Sequence, residues 1–207
     1  MIAVPCMDTV QTEFFCSCMD LQRVGEVQTE IVSCSLIYKA RTDLGSMAIR
    51  KNTDYVLWLD SDVIFPSSLM VDMMEDLQGR DMVTGLYHMR REPFMPVIWS
   101  KCRPGETIYE NEDEMMPDYP RDRIFEVEGC GFGAVMMRTE VLRQVKIKYG
   151  QLFAPLPGYG EDLSFCIRAR GCGYKIHCDP KLQIGHKAAT IVTDETWQAY
   201  RKAGEKG

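Results

Sequence analysis

The chain has 207 residues, 45% of them hydrophobic and 26% charged, with a formal net charge of −6. Such a balance suits a soluble globular protein with a substantial core, and the negative charge argues against a binder that holds nucleic acid through its phosphate backbone. No apolar run approaches the ~20 residues that cross a bilayer, and Met1-Ile-Ala-Val-Pro-Cys6 lacks the basic segment and long apolar stretch of a secretory leader.

Residues 1–5 make a short first strand ending at Pro5, and Cys6-Met7-Asp8-Thr9 is a turn. Val10, Phe14, Phe15, Cys18 and Leu21 recur at helical spacing, so a helix is expected from Val10 to about Val24, stopped by Gly25. A second strand lies within 27–37, and Ala40, Leu44, Met47 and Ala48 mark the sheet-facing side of a helix over 38–50. Residues 55–59, Tyr-Val-Leu-Trp-Leu, form an unbroken apolar run, the pattern of a strand buried on both faces of a mostly parallel sheet. The β-α-β-α-β order implies right-handed crossovers. Pro66 opens a helix with a Met70, Met73, Met74 and Leu77 stripe, read as core packing.

Strand four is expected at 81–87, and 93–100 is extended, with Val97 and Ile98 in the sheet. Arg103-Pro-Gly, the acidic run 110–114, Pro117 and Pro120 suggest an exposed, mobile loop over 102–123. Two strand-like segments, 124–128 and 133–138, flank Gly129-Cys-Gly131-Phe-Gly133, whose glycines mark a bend or a close backbone approach. Thr139 caps a helix to about Lys148, and Gly158-Tyr-Gly160 leads into a helix over 161–170 that stops at Gly171. Residues 174–178 and 182–184 are strand-like, and Thr193 opens a final helix carrying Trp197 as a docking residue. Nine scattered cysteines include no paired C-x₂-C spacing. They are read as reduced, mostly buried thiols of a cytoplasmic protein, Cys34, Cys166 and Cys178 among them.

Asp60 and Asp62 stand at the C-terminal end of the 55–59 strand, where ligands bind in open α/β sheets. Two carboxylates at that spacing suit a hard cation, Mg²⁺ or Mn²⁺, shared with a substrate diphosphate, and they equally suit a turn before Pro66. Glu161 and Asp162 open a helix, where acidic residues also cap; in tandem, one can cap while the other serves as a general base. His186, between Gly185 and Lys187, is a candidate imidazole ligand or a hydrogen-bonded turn histidine; His177, inside a strand, is read as packed.

Ile2-Ala-Val-Pro5, Leu59-Asp60-Ser61-Asp62-Val63, Gly131-Phe132-Gly133-Ala134, Gly160-Glu161-Asp162-Leu163-Ser164-Phe165 and Gly185-His186 follow one another in this order. The set resembles glycosyltransferases of the GT-A fold, and is most similar to small members of glycosyltransferase family two. The resemblance implies an α/β fold with a mostly parallel central sheet flanked by helices. It implies one domain over 1–207: a nucleotide-binding half over about 1–80, an acceptor-binding half over about 81–190 and a C-terminal helix at 191–207. It makes Asp60-Ser61-Asp62 a D-x-D motif, with Asp62 on Mn²⁺ or Mg²⁺, Asp60 on the ribose or the metal, and His186 completing the metal site. Pro5, Cys6, Asp8 and Arg41 fall beside the nucleotide, Gly131 beside the donor sugar, and Lys187 near the diphosphate. Asp162 becomes the catalytic base of an inverting enzyme, and Glu161 orients the acceptor.

Two departures stand out: Cys6-Met7-Asp8 replaces the usual Tyr-Asn-Glu-like run after the first strand, and a Gln-x-x-Arg-Trp-like element is not evident, which favours single transfer over a processive synthase. The function so implied is a metal-dependent hexosyl- or N-acetylhexosaminyl-transferase. Its donor is a nucleotide-sugar, UDP-linked by expectation, and its acceptor a glycan, protein or small molecule. Two other readings stand beside it: a sugar-1-phosphate nucleotidyltransferase, weakened because Pro5-Cys6-Met7-Asp8 offers no glycine-rich basic phosphate loop, and a non-catalytic nucleotide-sugar or glycan-binding module.

Overall fold

The computed structural model describes residues 1–188 and 191–204. Its first half follows the order β1 (Ile2–Cys6), α1 (Thr12–Asp20), β2 (Thr29–Ser33), α2 (Ile37–Arg50) and β3 (Tyr55–Leu59). β4 (Val63–Ile64), α3 (Leu69–Asp76) and β5 (Met82–Leu86) come next, then β6 (Ile98–Arg103), β7 (Glu112–Met115), β8 (Phe125–Val127), β9 (Gly129–Cys130) and β10 (Ala134–Arg138). The chain continues through α4 (Thr139–Tyr149), α5 (Glu161–Gly171), β11 (Ile176–Gln183), β12 (Gly185–Lys187), β13 (Ile191–Val192) and α6 (Asp194–Gly204).

A seven-stranded sheet in the order β2-β1-β3-β10-β5-β11-β8 forms the centre. β2, β1, β3, β5 and β11 run one way, and β10 and β8 run against them. This is an α/β architecture with a mostly parallel sheet and helices on both faces. Successive side chains of a strand point to opposite faces, and β3 serves both layers for that reason. Val56 and Trp58 pack with Leu44 of α2, Leu142 of α4 and Phe165 of α5. Leu57 and Leu59 pack with Phe14 of α1 and with Leu69 and Met73 of α3. The first layer is built on rings: Phe153 stacks on Phe165 at 4.6 Å and meets Trp58 edge-on at 5.1 Å. Such pairs add about 0.5–1.5 kcal/mol each beyond area burial.

Two smaller sheets complete the fold: β13-β12-β4 and β7-β6-β9. Several expected features are corrected. The first helix is shorter than Val10–Val24, because Leu21 is already extended. Pro66 does not open a helix: Pro66-Ser67-Ser68 is a turn, and α3 begins at Leu69. Val97 and Ile98 do not join the central sheet; β6 starts at Ile98 and belongs to a separate sheet. The 102–123 segment is not a structureless loop, since the acidic run folds as β7 and pairs antiparallel with β6 through Arg103 and Glu112. Glu112, Asp113 and Glu114 stay exposed there, so the strand rests on backbone pairing and carries no apolar alternation to be read.

Thr139 is the first helical residue of α4, with Arg138 at the cap position, and the Thr139 hydroxyl meets that of Thr53 at 3.1 Å. Residues 174–178 and 182–184 are not two strands: β11 runs through Pro180 with an irregularity against β5 between Asp179 and Gln183. All nine cysteines are free; Cys166 and Cys178 are buried as read, whereas Cys34 is only half-buried. Trp197 is 4% exposed, in keeping with a docking residue. Among the described residues no helix is long and apolar enough to cross a membrane.

Candidate active site

The C-terminal ends of the five co-directional strands lie along one edge of the central sheet. β10 runs the other way, so its N-terminus, with Gly131-Phe132-Gly133 just before it, falls on that same edge. β3 delivers Asp60 there, β5 delivers Tyr87 and His88, and β11 leads into β12 with His186. Ligands bind at such an edge in α/β sheets.

The turn after β3 is held from three sides. Asp60 N–H donates to the Gly133 carbonyl at 3.0 Å, Gln11 N–H to the Ser61 carbonyl at 3.0 Å, and Lys187 N–H to the Asp62 carbonyl at 2.8 Å. β12 pairs antiparallel with β4, placing His186 opposite Val63 and therefore beside Asp62. His186 Nε2 lies 3.6 Å from Asp62 Oδ2, and its other ring nitrogen, Nδ1, lies 2.7 Å from the His88 carbonyl. A carbonyl can only accept, so Nδ1 carries a proton, and Nε2 is left facing the Asp62 carboxylate oxygen. Either a second imidazole proton or a cation can sit between that nitrogen and that oxygen, and imidazole with carboxylate is a set that Mn²⁺ accepts. Asp62 and His186 therefore fit a divalent ion. Among the described residues no group of three or more His, Cys, Asp or Glu side chains is arranged to hold one.

Asp60 has a partner of its own. Its Oδ1 accepts from Arg41 Nη2 at 2.7 Å, and Arg41 Nε donates to Glu161 Oε1 at 3.3 Å. Arg41 is 3% exposed, sits 5.2 Å over the Phe132 ring, and its Nη1 is buried without a partner. Burial works against its charge, but Asp60, Glu161 and Asp162 outweigh it and raise its pKa. Arg41 thus ties the acidic strand end to the acidic helix start. Burial pushes the Asp60 carboxyl up, though Arg41 pulls the other way. Burial also works against the Asp62 carboxylate, but His186 and then Arg90 hold it below its ordinary value. Asp162, at the first turn of α5, is pushed up to about 6 by burial and by the neighbouring Glu161 charge. A carboxylate poised there is suited to accept a proton near neutral pH.

The side chains of the other expected site residues have their own surroundings. Lys187 is ion-paired to Glu13 of α1. Pro5 and Cys6 are buried at the end of β1, and Asp8 is exposed in the turn that follows. A cavity of about 680 Å³ opens between α1 and β4, lined by Glu13, Ser17, Phe65 and Ile191 among others. A second, of about 650 Å³, lies by Met1, Gln28, Met70 and Met74, at the opposite end of the strands from the acidic cluster.

Two residues were not singled out from sequence. Tyr87 is 6% exposed, its ring 5.4 Å edge-on from His186. Burial, then Asp60 and Asp162, keep its phenol protonated far above the ordinary range. Arg90 Nη1 donates to Asp62 Oδ2 at 2.8 Å. The only local signal for either was its place just after a strand end at the ligand edge.

Tyr87 also accounts for Gly131 and Gly133, whereas a Cβ on Gly129 would meet Leu163 Cδ2 at 2.7 Å. A Cβ on Gly131 would lie 1.8 Å from the Tyr87 hydroxyl, and one on Gly133 2.9 Å from the ring. Gly131→Ala is therefore expected to destabilise the fold by about 1–3 kcal/mol through overpacking. Urea unfolding of the Gly131→Ala, Tyr87→Phe pair should show part of that loss restored, because the nearest clash is with the hydroxyl, while Val97 Cγ1 at 2.8 Å and the Tyr87 ring at 2.9 Å still crowd the methyl. Additive losses would place the strain elsewhere.

No protein-family model matches the chain. The chain is 26% identical over 187 residues to a protein named "Mannan polymerase complex subunit MNN9" from Candida albicans, an alignment covering 73% of this chain and 49% of that protein. The chain thus spans about half the length of the curated relative it matches. Among solved structures, the crystal structure of A197 from STIV superposes with a TM-score of 0.64 at 20% identity, covering 90% of this chain and 84% of that one. This second likeness is one of fold.

Proposed function

We propose that the chain is a metal-dependent glycosyltransferase that moves a sugar from a nucleotide-sugar donor to an acceptor hydroxyl, with inversion. The observation that carries this reading is the Asp60–Arg41–Glu161 bridge. It sets a diphosphate-type acidic turn against a helix start whose second residue, Asp162, has a base-like pKa of about 6. The distant relative named as a mannan polymerase subunit lends weight to sugar transfer and adds a mannosyl donor to those worth testing.

In this reading Asp62 and His186 hold Mn²⁺ or Mg²⁺, which supplies Lewis-acid stabilisation of the leaving diphosphate. Arg41 fixes Asp60 toward the nucleotide ribose. Asp162 takes the acceptor O–H proton as that oxygen forms its bond to the anomeric carbon. The bond from that carbon to the diphosphate oxygen breaks, and its electron pair leaves with the nucleoside diphosphate. Tyr87, kept protonated between Asp60 and Asp162, offers a neutral hydrogen-bond donor in the same space. A binding module without turnover has no need of a carboxylate tuned toward neutrality, which is why transfer is preferred here.

The test is calorimetric titration of UDP, GDP and CDP, each with Mn²⁺ and again with excess chelator. One of the three should bind at micromolar concentration and only with the metal, and Asp62→Ala should lose that binding. Unchanged nucleotide affinity in Asp62→Ala would remove it as a ligand. Absence of binding by all three would leave a likeness of fold without this chemistry.

A further inference from the structure

The two carboxylates of Asp60-Ser61-Asp62 each hold an arginine, and the two arginines differ. Arg41 is enclosed: its side chain is 3% exposed and it bridges two acids. Arg90 is open, with its side chain 56% exposed, and reaches Asp62 from the loop that follows β5. That loop has a fixed backbone. Met89 N–H donates to the Met95 carbonyl at 2.9 Å, Val97 N–H to the Tyr87 carbonyl at 3.0 Å, and the Phe94 ring meets Tyr200 of α6 edge-on at 5.6 Å. The long, exposed Arg90 side chain is free to take another partner from that frame.

Its position is telling. Arg90 donates to Asp62 Oδ2, the same oxygen that faces His186 Nε2. A divalent ion held between that oxygen and that nitrogen would meet the guanidinium at its own partner, and two cations on one carboxylate oxygen repel. Lys187, the nearest alternative cation on β12, is already engaged by Glu13. We propose that Arg90 is an exchangeable cation: it neutralises Asp62 until the divalent ion arrives, then turns to the diphosphate that accompanies the ion. A guanidinium presents a planar pair of donors that matches two phosphate oxygens, and a solvated one moves at little cost. The inference rests on the metal-assisted nucleotide reading above and assigns Arg90 as a diphosphate-binding residue at that site.

The experiment uses Arg90→Gln, with Arg91→Gln on the same loop as the control for lost charge. Mn²⁺ alone is titrated into each protein, and then the nucleoside diphosphate that the parent binds is titrated at saturating Mn²⁺. Arg90→Gln should bind Mn²⁺ several-fold more tightly, because a competitor for Asp62 is gone. The same variant should bind the nucleotide about tenfold more weakly, the loss expected for one charge-assisted hydrogen bond. Arg91→Gln should change neither, and all three proteins should melt alike. Affinities that move together, or stay put, while the parent binds both ligands would overturn the role of Arg90 and leave the glycosyltransferase reading intact. Tighter Mn²⁺ with unchanged nucleotide would overturn the transfer of Arg90 to the diphosphate. No Mn²⁺ binding by the parent would overturn both.

Discussion

Asp162→Asn is expected to abolish sugar transfer and to make the protein more stable. The Asp162 carboxyl is raised from its ordinary 3.8 to about 6 by burial and by Glu161. A group whose folded pKa lies above its unfolded one favours folding while protonated. Its contribution is therefore lost as pH rises, here between about 4 and 6, and above that window the ionised carboxylate weighs on the fold in full. Asparagine keeps the shape and an acceptor for the Leu163 N–H that Asp162 now satisfies at 2.7 Å, without the buried charge. The relief is about 3 kcal/mol, or roughly 6–12 °C in Tm for a chain of this size. Scanning calorimetry at pH 8 and pH 4 checks it: the difference between variant and parent should be large at the first and close to zero at the second. The same group sets the acid limb of the parent's rate, so kcat/KM should fall as pH drops through about 6. Metal-dependent nucleotide affinity should survive the substitution. A variant that still transfers sugar would show that the proton goes elsewhere.

Arg41→Met should have the opposite sign and at least as great a size. Removing this enclosed guanidinium leaves Asp60 and Glu161 without their shared cation, with Asp162 close by. Breaking a buried ion pair on one side costs about 3–5 kcal/mol because the remaining charge keeps its desolvation penalty. That corresponds to a Tm lower by roughly 6–20 °C. Asp60→Asn in the Arg41→Met background should recover part of the loss, since it removes one stranded charge. Arg41→Lys should fall between, keeping charge but not the fork that reaches two acids. Urea unfolding of the four proteins reads these differences. A parent-like Arg41→Met would mean that packing over Phe132, not charge, sustains the contact.

Much of the first eighty residues was legible because its signals are local. The apolar run 55–59 gives β3 directly, the Ala40, Leu44 and Ala48 spacing gives α2, and Asp60, Asp62, Glu161 and Asp162 each sit beside a strand end or a helix start. What brings them together was not legible from periodicity. Arg41 lies 19 residues from Asp60 and 120 from Glu161, and the expectation that it lies beside a nucleotide came from resemblance to a family, without any sign of the bridge. Tyr87 and Arg90 follow β5 in a segment whose hydrophobicity says nothing of a cleft. β7 was read as part of a loop because three of its four side chains are exposed and only its backbone is paired. The glycines of 131–133 were recognised as close-approach positions, but the partner that demands them, Tyr87, is remote in sequence.

The place of β10 has a consequence for how the chain is made. β3 is paired on one side by β1, early in the sequence, and on the other only by β10, whose Arg138 pairs with Tyr55. Translation at ~5–20 residues per second leaves that second side bare for on the order of ten seconds after β3 leaves the ribosome. Val56, Leu57, Trp58 and Leu59 are all buried in the finished protein, so the waiting strand is an apolar edge of the kind that pairs with other chains. The yield of folded protein from a cell should then follow translation speed and chaperone supply more closely than it follows the stability of the completed sheet.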